Sequence, residues 1–82
     1  VRLTFSPAND GTSADVTATL DNDLDEAFSR VRVVFVLRRG EYAATGGAIE
    51  SAVASDDGGF KVVTVRVALP AKGRASVRVS PR

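Results

Sequence analysis

The sequence predicts an all-β fold, an antiparallel β-sandwich of six to seven short strands. Three observations lead to this fold class. Apolar and polar residues alternate with a period of two in several segments, which is typical of half-buried strands. Clusters of Gly, Pro, Asn and Asp separate these segments at short intervals. A chain of 82 residues has room for one domain with a single thin core, and we assign residues 1–82 to one sandwich domain.

The alternating segments are the expected strands. They cover residues 1–5, 15–20, 30–38, 48–54, 60–69 and 74–80. The intervening turn signals lie at 6–11, 39–40, 46–47, 56–59 and 70–73. The strongest alternation lies in 30–38 and 60–69, where Val dominates, and β-branched residues suit a pleated, half-buried surface. We expect the core to contain Val31, Val33, Phe35, Leu37, Val63, Val65, Val67, Leu69, Val77 and Val79.

One segment also fits a helix. Within 22–31, Leu24, Ala27, Phe28 and Val31 follow the i, i+3, i+4, i+7 spacing of one helix face. Asp23 and Glu26 have the spacing of a helix-capping signal. A short connection whose apolar residues close one end of the sandwich explains the same pattern, so the sequence leaves both alternatives open.

The composition excludes several classes of function. The chain contains no Cys, His, Met or Trp, which removes thiol and imidazole catalysis, disulfides and Cys/His metal sites. Eleven basic and ten acidic residues leave a net charge of +1, so we expect no nucleic-acid partner. No apolar run is long enough to span a membrane. We therefore expect no enzyme activity, no cofactor and no membrane span within these residues.

An acidic segment is the first candidate binding site. Asp21, Asp23 and Asp25 have the alternate spacing that opens a calcium-binding loop, and Asp56 and Asp57 could assist them from another loop. The EF-hand pattern itself is absent, because Glu26 stands where its glycine belongs and Arg32 stands where its final carboxylate belongs. The alternative is a solvated connection held by Asx turns.

Outward-facing arginines form the second candidate. Arg30, Arg32, Arg66 and Arg78 fall on the polar sides of three expected strands. Neighbouring guanidinium groups suit carboxylate or sulfate ligands, such as those of an acidic glycan. The alternative is a solvated face that keeps the domain soluble and blocks edge pairing. Tyr42 has two similar interpretations, as a residue whose ring covers the rim of the sandwich or as an anchor for a protein contact.

Part of the pattern resembles a known group of domains. The segment 15–22, Asp-Val-Thr-Ala-Thr-Leu-Asp-Asn, is followed by a small-polar connection and the valine-rich segment 31–37. This arrangement resembles the FxLYD-type and CARDB-type domains of bacterial and archaeal cell-envelope proteins. Phe35-Val36-Leu37 matches the Phe-x-Leu part of the first motif, while Arg38 and Arg39 replace its Tyr-Asp pair. The turn Leu69-Pro70-Ala71-Lys72-Gly73 is similar to theirs as well.

The resemblance implies an immunoglobulin-like β-sandwich that acts as a non-catalytic module of a secreted or cell-envelope protein. Because residue 1 is Val, we expect the domain to belong to a larger protein with neighbouring domains. Its expected role is that of a spacer or docking module. The alternative is a module that binds an acidic glycan, or a protein partner, through the arginine-bearing sheet face or an exposed sheet edge.

Overall fold

The computed structural model describes the whole chain, Val1–Arg82, and contains seven strands and no helix. The strands are β1 (Arg2–Ser6), β2 (Val16–Asp21), β3 (Phe28–Arg38), β4 (Tyr42–Thr45), β5 (Ala48–Ala54), β6 (Phe60–Leu69) and β7 (Arg74–Pro81). They form a four-stranded sheet in the order β1-β2-β7-β4 and a three-stranded sheet in the order β3-β6-β5. All neighbouring strands are antiparallel, which confirms the predicted all-β antiparallel sandwich.

The strand order can be compared with that of a constant-type immunoglobulin domain, where the first, second, fifth and fourth strands form one sheet and the third, sixth and seventh form the other. Here β7 lies between β2 and β4, and β5 lies beside β6. The fifth and seventh strands have therefore exchanged places. As a result the chain changes sheets at every connection except β1–β2 and β5–β6.

The core lies between the two sheets and contains thirteen buried apolar side chains. Strand register explains which residues enter it, because residues directly opposite each other share a face: Val33 pairs with Val65, and Val16 pairs with Val79. Every predicted core residue is buried except Val31, which is half-buried.

The structure decides one open alternative and adds one strand. The helix alternative for 22–31 is wrong, because β3 already begins at Phe28 and only 22–27 forms a connection. A β-bulge between Phe28 and Val31 shifts the register of β3, which obscures the period of two there. Strand β4 was not expected, since four residues are too few to show an alternation. Its Tyr42 is buried in the core and donates a hydrogen bond to the carbonyl oxygen of Arg38 at 2.5 Å.

Gly46 and Gly47 carry the chain from one sheet to the other. They are the only residues between β4 and β5, so both sheets approach their backbone closely. A Cβ on Gly46 would collide with the carbonyl oxygen of Ser76 in the four-stranded sheet. A Cβ on Gly47 would lie 2.7 Å from Val65 Cγ1 and 2.8 Å from the carbonyl oxygen of Arg66 in the other sheet. This two-residue crossing therefore requires glycine at both positions.

We expect Gly47→Ala to lower the free energy of unfolding by about 1–3 kcal/mol, because the added methyl group overlaps backbone and core atoms of β6. Urea unfolding measures the effect. The matched control is Gly59→Ala, whose Cβ would meet its nearest atom, Asp57 Oδ1, at 3.4 Å. We expect the control to change stability by less than about 0.5 kcal/mol. Equal unfolding midpoints for the two variants would contradict the close crossing.

Candidate functional site

The outer faces of the two sheets differ in chemistry. On the four-stranded sheet, strand register places Thr4 beside Thr19 and Thr19 beside Ser76, so hydroxyl groups occupy the centre of its outer face. On the three-stranded sheet, Val36 lies beside Val62, and Val62 lies beside Val53. The second face therefore presents apolar side chains to solvent, whereas the first presents polar ones.

We call these apolar residues the apolar strip. It consists of Val34, Val36, Val53, Val62 and Phe60. Val53 is 60% exposed, Val34 is 48% exposed and Phe60 is 39% exposed. The row crosses all three strands of the sheet, so these residues are contiguous. Single exposed apolar residues are common on soluble proteins, whereas a contiguous group of them is a candidate contact surface.

Three of the four predicted arginines lie on this same face. Arg32 and Arg66 are directly opposite each other on β3 and β6. Like charges in that position repel. Glu50 relieves the repulsion, since its Oε1 accepts a hydrogen bond from Arg32 Nε at 2.7 Å and its Oε2 lies 3.7 Å from Arg66 Nη1. A bulge between Ile49 and Ser51 places Glu50 at this point of β5.

We call Arg30, Arg32 and Arg66 the arginine cluster. The hydrogen bond from Arg32 lowers the pKa of Glu50, and the charges of Arg32, Arg66 and Arg30 lower it further. Arg30 is therefore close enough to act on the same carboxylate. With one glutamate against three arginines, the cluster keeps an excess of two positive charges.

The fourth predicted arginine lies elsewhere. Arg78 is on β7, on the outer face of the other sheet, where it lies opposite Thr17 and Thr45. Its guanidinium group donates two hydrogen bonds to Asp15, from Nε at 3.0 Å and from Nη2 at 2.5 Å. The bond from Arg78 lowers the pKa of Asp15. Strand alternation shows that Arg78 faces outward, but it does not show from which sheet.

The three aspartates of the acidic segment each lie beside a different cation of the chain. Asp21 pairs with Arg74 at 2.5 Å, and Asp23 lies 3.6 Å from the N-terminal amino group. Asp25 lies 3.9 Å from Lys72. No group of three or more carboxylates is placed to hold a metal ion.

The two loops proposed to share a cation lie far apart. Asp56 and Asp57 are in the turn that precedes β6, whereas Asp21 pairs with the first residue of β7, just after the turn that follows β6. The length of β6 therefore separates them. Calcium binding stays a prediction, and the geometry gives it no shared set of ligands.

Asn22 holds two connections of the fold together, and the charge and motif patterns of the sequence do not single it out. Its side chain is 96% buried, since its exposed fraction is 4%. Its Nδ2 donates to the carbonyl oxygens of Glu26 at 2.8 Å and Pro70 at 2.9 Å, and its Oδ1 accepts from the backbone N–H of Leu24 at 3.0 Å. Asn22 thus ties the β2–β3 connection to the β6–β7 turn. The sequence does carry one signal for this residue. Asn22 is the last residue of segment 15–22, which is part of the resemblance described above.

Comparison with known proteins gives no relative. The chain matches no protein-family model, no curated protein and no solved structure. Among the elements of the fold there is no helix that could cross a membrane. Function therefore has to be inferred from the apolar strip, the arginine cluster and the sheet edges.

We expect Asn22→Ala to destabilise the fold by about 1–3 kcal/mol, because it leaves partly buried backbone groups of both connections without partners. Urea unfolding measures the loss. Asn22→Asp is the matched variant: it keeps the acceptor for Leu24 but replaces the amide donor with an oxygen that faces two carbonyl groups. We expect it to be at least as destabilising as Asn22→Ala. Near wild-type stability of Asn22→Asp would contradict the donor role.

Glu50 gives the fold a specific acid sensitivity. Its pKa in the folded state lies below the ordinary value of 4.5, so its ion pairs stabilise the fold above that pH and are lost as pH falls through the lowered pKa. We expect Glu50→Gln to lose less stability than the wild type between about pH 6 and pH 3. Glu26→Gln, which removes a carboxylate that forms no ion pair in the structure, is the control. An unchanged pH profile for Glu50→Gln would contradict this role.

Proposed function

We propose that the chain is a non-catalytic interaction module that docks a protein partner through the outer face of the three-stranded sheet. The observation that carries the proposal is the contiguous apolar strip next to the arginine cluster, on a domain whose opposite face is covered with hydroxyl groups. Contact surfaces of proteins combine desolvated apolar centres with a polar rim, and they are rich in arginine and aromatic residues.

The charge of the face indicates the chemistry of its partner. The arginine cluster has two more positive charges than Glu50 balances, so a partner with carboxylates facing it gains attraction and faster association. A second copy of the domain, stacked face to face, brings two surfaces of the same sign together. The proposed partner is therefore a different protein surface, apolar at its centre and acidic at one side.

An acidic glycan is the second candidate, favoured by the guanidinium groups alone. Sugar rings also need an aromatic surface, and the exposed aromatic on this face is Phe60. Phe60 begins β6 and Arg66 lies six residues further along the strand, about 20 Å away at roughly 3.3 Å per residue. One sugar unit cannot reach both groups. A glycan of several units would span that distance, but the valines of the apolar strip lie between the two groups and suit a protein surface, which supports the first candidate.

No reaction is part of this proposal. The outer face offers valines, guanidinium groups, the hydroxyl groups of Ser51 and Thr64 and one carboxylate. The arginines lower the pKa of that carboxylate, Glu50, which makes it too weak a base to activate a hydroxyl group. We infer a mechanical and geometric role instead, in which a rigid sandwich positions neighbouring domains. The resemblance to envelope-associated, immunoglobulin-like modules supports a location at the cell envelope or outside the cell.

Cysteine labelling tests the docking face. Residues 1–82 contain no cysteine, so a single introduced thiol is the only maleimide site within this domain. Val53→Cys places it in the apolar strip, and Thr19→Cys places it on the opposite face. In intact source cells expressing the whole gene product, we expect the thiol at position 53 to react at least tenfold more slowly than in the same purified protein. We expect position 19 to react equally in both.

Two outcomes contradict the proposal. Equal labelling of position 53 in cells and after purification means that nothing covers the strip. Protection of position 19 in place of position 53 means that the hydroxyl-rich face makes the contact. Thermal unfolding of both purified variants checks that neither substitution disturbs the fold.

A further inference from the structure

The two sheets have different numbers of strands, which leaves β1 without a strand opposite it. Across the core, β2 packs on β3, β7 packs on β6 and β4 packs on β5. β1 lies beyond β2, at the edge of the larger sheet, and β3 is the corresponding edge of the smaller one. The fold therefore contains a place for one further strand, beside β3 and facing β1.

The β1–β2 connection fills half of this place. Gly11 donates its backbone N–H to the carbonyl oxygen of Val36 at 3.1 Å, and the carbonyl oxygen of Ser13 accepts from the N–H of Arg38 at 3.0 Å. The side chain of Asn9 adds two bonds of the same kind, from Nδ2 to the carbonyl oxygen of Val34 at 3.0 Å and from the N–H of Val36 to Oδ1 at 2.7 Å. Residues 9–13 thus act as a short strand along the second half of β3.

The first half of this edge has no such cover. Because Val34, Val36 and Arg38 direct their backbone groups away from β6, the alternation of the strand directs those of Arg32 the same way. By this alternation the backbone N–H and C=O of Arg32 and the N–H of Val34 point away from β6, and no hydrogen bond from the β1–β2 connection reaches them. We call Ser29–Val34 the open edge.

Apolar side chains next to the open edge are also uncovered. Leu3 of β1 lies opposite Leu20, so it faces the inner side of its sheet, yet it is 45% exposed. Val31 points inward as the partner of Val67 and is only half-buried. Both side chains lack the strand that would cover them. Backbone groups and apolar side chains are therefore unsatisfied at the same place.

We propose that the open edge binds an extended segment of a protein partner, added as a strand, in which apolar and acidic residues alternate. Its apolar residues pack against Leu3 and Val31, and its acidic residues lie beside Arg30 and Arg32 on the outer face. Main-chain hydrogen bonds to a sheet edge supply affinity, while alternate side chains supply specificity. The inference goes beyond the proposed function, because it concerns a different surface, and its test is independent of the test of the docking face.

Charge disfavours a second copy of the chain as the occupant. Pairing β3 with β3 of another copy sets Arg30 and Arg32 against the same residues, and like charges on neighbouring strands repel. A segment that alternates glutamate or aspartate with valine or leucine meets both requirements of the edge. The second half of β3 stays closed to it, because residues 9–13 already occupy that stretch.

A synthetic peptide tests the inference directly. The probe is a dye-labelled, capped peptide of four Glu-Val repeats, and binding is followed by fluorescence anisotropy. We expect saturable binding, with hydrogen exchange of the Arg32 and Val34 amides slowed at least tenfold. A peptide of four Lys-Val repeats tests the charge. A Glu-Val peptide that is N-methylated at every second residue tests main-chain pairing. We expect both to bind at least tenfold more weakly.

Two variants of the protein locate the site. Arg30→Glu changes a charge at the open edge, and Arg39→Glu makes the same change in the β3–β4 connection, where Arg39 forms no ion pair. We expect the first to weaken binding of the Glu-Val peptide at least tenfold and the second to weaken it less than twofold. Thermal unfolding confirms that both variants are folded.

The inference is overturned if the Glu-Val peptide does not bind, if its N-methylated form binds equally well, or if the two variants behave alike. These results do not bear on the proposed docking face, because that face is tested separately by labelling of the cysteine at position 53 on β5. Protection of position 53 without peptide binding refutes the edge site alone. Peptide binding without protection of position 53 refutes the docking face alone.

Discussion

The buried side chain of Asn22 is the interaction on which the arrangement of the strands depends. Both the β2–β3 connection and the β6–β7 turn change sheets at the same end of the sandwich, and neither can satisfy its backbone groups through a strand ladder. One amide satisfies both connections, and the N–H of Asn22 also donates to the carbonyl oxygen of Gly73 at 2.8 Å. By joining the two connections, Asn22 positions β3 against β6 and β2 against β7.

The position of β3 in turn produces both candidate surfaces. As an edge strand it leaves its backbone open beside β1, and as the neighbour of β6 it brings Arg32 against Arg66. The glycine crossing at 46–47 has a matching effect at the other side of the sandwich, because it delivers β5 to the three-stranded sheet together with Glu50 and Val53. The same crossings that hold the sheets together therefore place the apolar strip and the arginine cluster on one face.

Local patterns in the sequence were sufficient for the sandwich and for most of its core, because inward valines repeat with a period of two along β3, β6 and β7. They did not indicate β4, whose inward residues are only Tyr42 and Ala44, nor the bulge that starts β3. Which of the two sheets a strand joins depends on its pairing with residues distant in sequence. The alternation within one strand carries no information about that pairing. Alternation therefore groups Arg78 with Arg30, Arg32 and Arg66, although Arg78 lies on the other sheet.

The two outer faces differ in a way that distinguishes the proposed contact surface, on the three-stranded sheet, from a face that only keeps the domain soluble, on the four-stranded sheet. Solubility requires a polar surface with mixed charges, and the hydroxyl-rich face meets that requirement with Thr4, Thr19 and Ser76 and with the Asp21–Arg74 and Asp15–Arg78 ion pairs. The other face departs from it twice, with an arginine pair directly opposed in register and with a row of exposed valines. Each departure costs stability or solubility in the isolated domain, and each becomes favourable against an acidic, apolar partner. Functional sites are where a fold keeps such local conflicts.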